Sequence, residues 1–150
     1  MDVIIFFRVC VALVLGSILG IERTFAGKTA GMRTYGLVSM GSALFVVTSH
    51  LIDQSYIGIS NFDPMRVSAG IITGVGFLGA GIIFFKGDRI SGLTTAAGLW
   101  VSCGIGMACG FGFLVPAAIA TILTLFIFVV LWRIEERIRK IAPSEHTDLV

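Results

Sequence analysis

Long apolar runs fill this chain, and polar residues punctuate the runs instead of alternating within them. Runs near residues 3–21, 35–52, 68–85, 94–112 and 113–132 are predominantly apolar. Each approaches the roughly 20 residues that a helix needs to cross about 30 Å of hydrocarbon. The pattern predicts an all-α integral membrane protein, a compact bundle of five transmembrane helices. The last two runs nearly touch. Gly110, Gly112 and Pro116 are turn and helix-start signals that divide a stretch too long for one crossing, with four spans and one broken helix as the alternative. The first run begins Met1-Asp2 with no basic leader region, its only early cation being Arg8 inside the run, so it reads as a retained span and not a signal peptide.

The cations between the runs are unevenly divided. Arg23, Lys28, Arg33, Lys86, Arg89, Arg133, Arg137, Arg139 and Lys140 fall on one side, nine in all, against Arg66 on the other. The positive-inside rule then predicts an outside N-terminus and a cytoplasmic C-terminus. Residues 133–150 form a short tail in which Ile134, Ile138 and Ile141 share a helical face among charged neighbours, a basic amphipathic stretch expected on the cytoplasmic leaflet.

Composition excludes the alternatives. Of 150 residues, 56% are hydrophobic and 13% charged, with a net charge of +2, about half the charged fraction of a soluble domain and too apolar and uncharged for disorder. The 19 glycines have no period of three and there are 3 prolines, which excludes collagen-like sequence. Cys10, Cys103 and Cys109 lie in apolar runs without C-x-x-C spacing and read as small hydrophobes. His50 and His146 read as interfacial or solvated residues.

Glycine is dense in the third and fourth spans. Gly16 and Gly20, Gly70 and Gly74, and Gly106 and Gly110 each fit GxxxG, the spacing that lets helix backbones approach in lipid. With Gly76, Gly79 and Gly81 they serve packing within the chain, a seam between copies, or a softened gating or binding helix. Gly74-Val75-Gly76-Phe77-Leu78-Gly79 also spells G-x-G-x-x-G, but mid-span and without a strand-to-helix turn it is not a dinucleotide site.

Charges at membrane depth are costly unless paired or wetted. Arg8 has the outer carboxylates Asp2, Asp53 and Asp63 as candidate partners, or snorkels to the headgroups. Glu22 and Arg23 end the first span, with Lys28, Arg33 and Thr34 following, so one carboxylate stands among three cations as a clasp or an anion site. Asp63 and Pro64 form a helix start with Arg66 beyond, and Thr94 and Thr95 offer hydroxyls for capping or interhelical bonds. No two carboxylates lie within a turn in any span, which makes a magnesium site thin.

Gly20-Ile21-Glu22-Arg23, Ala30-Gly31-Met32-Arg33-Thr34, Gly41-Ser42-Ala43-Leu44-Phe45, Asp63 with Arg66, the run Gly74 to Gly81, and Gly92-Leu93-Thr94-Thr95-Ala96-Ala97 with Leu99-Trp100 resemble, in order and spacing, the MgtC/SapB family of bacterial inner-membrane proteins. The resemblance implies the membrane domain alone, without the cytoplasmic C-terminal domain of many members, in a bacterial inner membrane. It further implies an association with growth in low magnesium and with virulence. Through the type member it implies inhibition of the proton ATP synthase and partnership with P-type magnesium pumps. Where the family pattern leads one to expect glutamine, this chain has Gly70.

Three functions follow as expectations. The first is a non-enzymatic regulator that binds and modulates membrane transporters or ATP synthase. The second is a small transporter or channel for Mg²⁺ or another solute, with Glu22, Asp63, Arg8 and Arg66 lining a path. The third is a lipid-binding structural homo-oligomer using Arg23, Lys28 and Arg33. Membrane lipids and a second copy, a dimer first, are the expected partners; catalytic residues, a cofactor and nucleic acid are not expected.

Overall fold

The computed structural model describes residues 2–55, 63–86 and 89–141. A backbone in hydrocarbon must satisfy its own hydrogen bonds, and the chain does so with α1 (Asp2–Phe25), α2 (Met32–Ser55), α3 (Pro64–Ile82), α4 (Leu93–Phe111), α5 (Leu114–Phe126) and α6 (Trp132–Ile141). A π turn, Ile127–Leu131, joins α5 to α6 without a break. Five stretches are long and apolar enough to cross a membrane: α1, most of α2 and α3, α4, and Leu114–Ile138. This is a multi-pass membrane protein. The basic stretch after residue 132 prolongs the fifth helix as far as Ile141; the rest of the expected tail, with His146, lies outside the described residues.

The break between the fourth and fifth spans is sharply made. Gly112 adopts φ +88°, the N–H of Phe113 donates to the Ala108 carbonyl at 2.8 Å, and that of Gly112 donates to Cys109 at 3.0 Å. These are the two closing bonds of a Schellman motif, whose left-handed position favours glycine. Between α3 and α4, where the sequence suggested only a cationic loop, β1 (Phe84–Lys86) and β2 (Arg89–Ser91) pair antiparallel, Phe84 opposite Ser91 and Phe85 opposite Ile90.

The core lies where α1, α2 and α4 meet, with Leu19, Tyr35, Val46, Leu99 and Ile105 almost wholly buried. Small residues allow it. A Cβ on Gly106 would land on the Ser39 carbonyl, and one on Gly16 would come 2.6 Å from Ser39 Cβ and 2.7 Å from the Tyr35 carbonyl oxygen. Gly20 and Gly110 are similarly pressed, against Met32 and against Ala43 and Val46. Serines tie the same seams: Ser39 Oγ donates to the Ala12 carbonyl at 2.7 Å and Ser102 Oγ to the Tyr35 carbonyl at 3.0 Å. Such bonds between helices in lipid contribute about 0.6 kcal/mol each.

α3 stands apart. It rests on α4 and more lightly on α2, and among the described residues no atom beyond its own helix lies within 4 Å of a Cβ placed on Gly70, Gly74, Gly76 or Gly81. Only Gly79 of this run has a neighbour, the Ala96 Cβ at 3.6 Å. Packing within the chain therefore accounts for the glycine pairs of α1 and α4 but not for Gly70 and Gly74. A Gly106→Ala variant is expected to lose about 2 kcal/mol or more through overpacking against backbone, whereas Gly74→Ala leaves stability unchanged or gains up to about 1 kcal/mol from helix propensity. Unfolding in mixed micelles, followed by helical circular dichroism, checks the pair.

Candidate functional site

Arg23 is the most deeply buried charge among the described residues, 3% exposed at the end of α1. An isolated guanidinium at that depth is unfavourable by several kcal/mol, so it must be matched. Its Nε bonds to the carboxylate of the adjacent Glu22, whose side chain reaches towards the surface. The flat cation also lies over the Phe128 ring, with Cζ 3.8 Å from the centroid, a cation–π contact that strengthens when desolvated.

Phe128 reaches that position from the π turn. Within it, Phe128 turns inward while Ile127 and Leu131 stay about half exposed; widened turns of this kind recur at functional sites. Phe128 meets Tyr35 edge to face, with centroids 6.5 Å apart at 84°. The Tyr35 hydroxyl donates to the Thr95 carbonyl at 3.1 Å. Gly98 leaves room for both rings, since a Cβ there would collide with the Tyr35 hydroxyl and the Phe128 ring edge. One chain of contacts thus joins α1, α2, α4 and the fifth span at the end of the bundle where α1 stops and α4 begins.

The other expected residues are distributed elsewhere. Lys28 and Arg33 are exposed and take no part in the Glu22 pair, so the expected cluster of one carboxylate and three cations resolves into one pair and two outlying charges. Arg8 pairs with none of its expected carboxylates. Its Nη1 donates to the Gly110 carbonyl at 3.2 Å, and its guanidinium lies against Gly112. A cation here satisfies a carbonyl left open by the helix end and complements the negative end of the α4 dipole. Asp63 caps α3, its Oδ1 accepting from the Met65 N–H at 2.9 Å, and Arg66 is exposed nearby. Residues 8 and 23 are about 22 Å apart along one helix, so Arg8, Asp63 and Arg66 at one end and Glu22 at the other do not converge on one path. Thr95 serves through its backbone carbonyl and not as a cap: Gly92 precedes α4 without a side-chain cap bond, and Thr94 is exposed. No three His, Cys, Asp or Glu side chains gather as a metal-holding group among the described residues.

Gly98 belongs to the dense glycines of the fourth span, but nothing in the sequence ties it to Tyr35 and Phe128. Tyr35 carried a usable signal, because a phenol inside a span must find a hydrogen-bond partner. Phe128 carried none, being one phenylalanine in an apolar run.

Residues 9–137 match the sequence profile of the MgtC family. The chain belongs to the MgtC family. A Haemophilus influenzae protein of uncharacterised role is 43% identical over 126 residues, 81% of this chain and 53% of its own length. Protein MgtC of Brucella abortus strain 2308 is 44% identical over 111 residues, 74% of this chain and 44% of its own length. The candidate magnesium transporter YhiD of Escherichia coli K12 is 42% identical over 95 residues, 60% of this chain and 43% of its own length. This MgtC-family chain spans about half the length of the curated relatives it matches. No solved structure matches it.

In this MgtC-family bundle, Glu22→Gln is expected to cost about 3–5 kcal/mol by leaving Arg23 buried without its counter-charge. The double variant Glu22→Gln with Arg23→Gln is expected to recover part of that loss. A double-mutant cycle on micellar unfolding free energies reads the coupling directly.

Proposed function

We propose that this MgtC-family protein acts in the bacterial inner membrane as a non-enzymatic modulator, docking a transmembrane helix of a partner protein on α3 during adaptation to low magnesium. The observation that carries this reading is the uncovered glycine face of that helix. At 100° per residue, Gly70, Gly74 and Gly81 fall within about 40° of one another, and among the described residues nothing lies within 4 Å of a Cβ placed on any of them. Glycine in a helix interior is unfavourable unless close approach offsets it, and among the described residues no neighbour supplies that offset. Gly70 and Gly74 of the stripe, with Gly41 of α2, line an apolar crevice of about 560 Å³ that separates α3 from α2 and is walled by Phe45 and Leu78.

The magnesium link rests on the names of relatives, MgtC and a candidate magnesium transporter. The partner class follows from the family resemblance: a P-type magnesium pump or the ATP synthase. The cation distribution supports a cytoplasmic placement of the α1–α2 loop.

Transport of Mg²⁺ is the second reading, favoured by the name of the relative YhiD. Against it, Glu22 is tied to Arg23 and Asp63 to the start of α3, at opposite ends of the bundle. Gly70→Leu with Gly74→Leu is expected to cut co-purification of the pump or ATP synthase at least tenfold while the bundle stays folded. Purified protein in liposomes is expected to show no Mg²⁺ flux above empty liposomes. A flux abolished by Glu22→Gln or Asp63→Asn would reverse the choice, and a dimer lost with the glycine double variant would make the occupant of α3 a second copy.

A further inference from the structure

At the end of the bundle that holds Arg23, a groove of about 530 Å³ lies between the end of α1 and the start of α2. Its lining includes Thr24, Lys28, Thr29, Arg33 and Thr34. The third cation of this region, Arg23, is turned inward onto Phe128 and Glu22, which leaves Lys28 and Arg33 to define the charge of the groove. Neither has a carboxylate within salt-bridge reach among the described residues.

The backbone of the groove is fixed from within the chain. The N–H groups of Ala26, Gly27 and Lys28 donate to the carbonyls of Glu22, Thr24 and Arg23, at 2.9, 3.1 and 3.0 Å. Thr24 joins the two helices: its hydroxyl donates to the Gly20 carbonyl at 2.9 Å and accepts the Met32 N–H at 3.1 Å. The next N–H groups of α2, those of Arg33 and Thr34, have no acceptor among the described residues. Two cations and two open backbone donors therefore border one concavity. That donor set suits a phosphate, which accepts from guanidinium, ammonium and first-turn N–H groups alike.

The rim determines what carries the phosphate. Phe25 is 89% exposed, and Ile21 and Met32 are also exposed beside the groove. A soluble anion has no use for that apolar edge, whereas acyl chains cover it. We infer that this groove binds the headgroup phosphate of an anionic phospholipid, with Lys28 and Arg33 as its cationic contacts and Ile21, Phe25 and Met32 against its acyl chains. Basic pockets beside transmembrane helices take anionic headgroups on the same physical grounds. The inference does not rest on the α3 reading and concerns the opposite chemistry, a polar ligand at the bundle's edge.

The test uses the full chain, purified in neutral detergent and incubated with equimolar phosphatidylglycerol and phosphatidylcholine, with retained lipids counted by native mass spectrometry. Phosphatidylglycerol is expected to be retained in preference, and Lys28→Gln with Arg33→Gln to lower that preference roughly fivefold for each cation removed. Lys28→Arg with Arg33→Lys is expected to keep it, as is Arg137→Gln with Lys140→Gln on α6. Both groove residues are exposed, and circular dichroism verifies that each variant keeps its helices. An unchanged preference in the Lys28 and Arg33 glutamine variant overturns the assignment, as does loss of preference from the α6 variant alone. Displacement of the lipid by excess inorganic phosphate overturns it as well, because the site would then belong to a soluble anion.

Discussion

In hydrocarbon, two apolar helices gain nothing by hiding apolar surface from an apolar solvent, so their association depends on how closely their backbones can lie. In this bundle that constraint is met where α4 crosses α2, with Gly106 over the Ser39 carbonyl. The close approach brings Ser102 within reach of the Tyr35 carbonyl, as the approach of α1 at Gly16 brings Ser39 within reach of the Ala12 carbonyl, and these hydroxyls hold the two seams in register. It also draws the start of α4 near enough for Tyr35 to reach the Thr95 carbonyl. The aromatic cluster over Arg23 is built on that approach, and a wider helix separation would remove its floor.

The two arginines of α1 illustrate how one side-chain type is accommodated at opposite ends of a span. Arg8 lies where α4 ends and meets a carbonyl that the helix cannot satisfy itself. Arg23 lies where carbonyls are already engaged, and a carboxylate and an aromatic face match it instead. Both solutions remove the guanidinium from lipid. They differ in consequence: the Arg8 contact closes a helix terminus, whereas the Arg23 contacts bind the fifth span to the rest of the bundle through Phe128.

The five spans were legible because length and hydrophobicity are one-dimensional properties, and the Gly112 break was legible because a left-handed turn favours glycine there. Partner choice was not. Arg8 seemed to need a carboxylate, since a sequence shows charges but not the open carbonyls at a helix end. The GxxxG pairs of α1, α3 and α4 look equivalent on paper, yet Gly16 and Gly106 face backbones and Gly74 faces none among the described residues; which face of a helix meets a neighbour is set by how the helices cross. Glu22 and Arg23 were named together from their place at a span end. Phe128 is silent in the sequence because its inward turn lies in a widened helical turn that leaves no mark in an unbroken apolar run.

A division of labour follows from these contacts. Added volume at Gly16, Gly20, Gly106 or Gly110 meets backbone at once, so the seams where α1, α2 and α4 cross can vary little in shape. α3 meets few neighbours, and Gly70 and Gly74 open onto the crevice that separates it from α2, so its position is held weakly by the rest of the described bundle. A helix held in this way loses little internal packing when another helix lies against it, and its glycines allow that helix to approach within backbone distance. The same looseness would be a defect in a helix lining a selective ion path, where fixed polar ligands define the passage. On α3 the Asp63 cap and the exposed Arg66 lie together at one end, and the exposed Thr73 donates its hydroxyl to the Ala69 carbonyl of its own helix, so the described polar groups of this helix do not line up as a row of ligands along it.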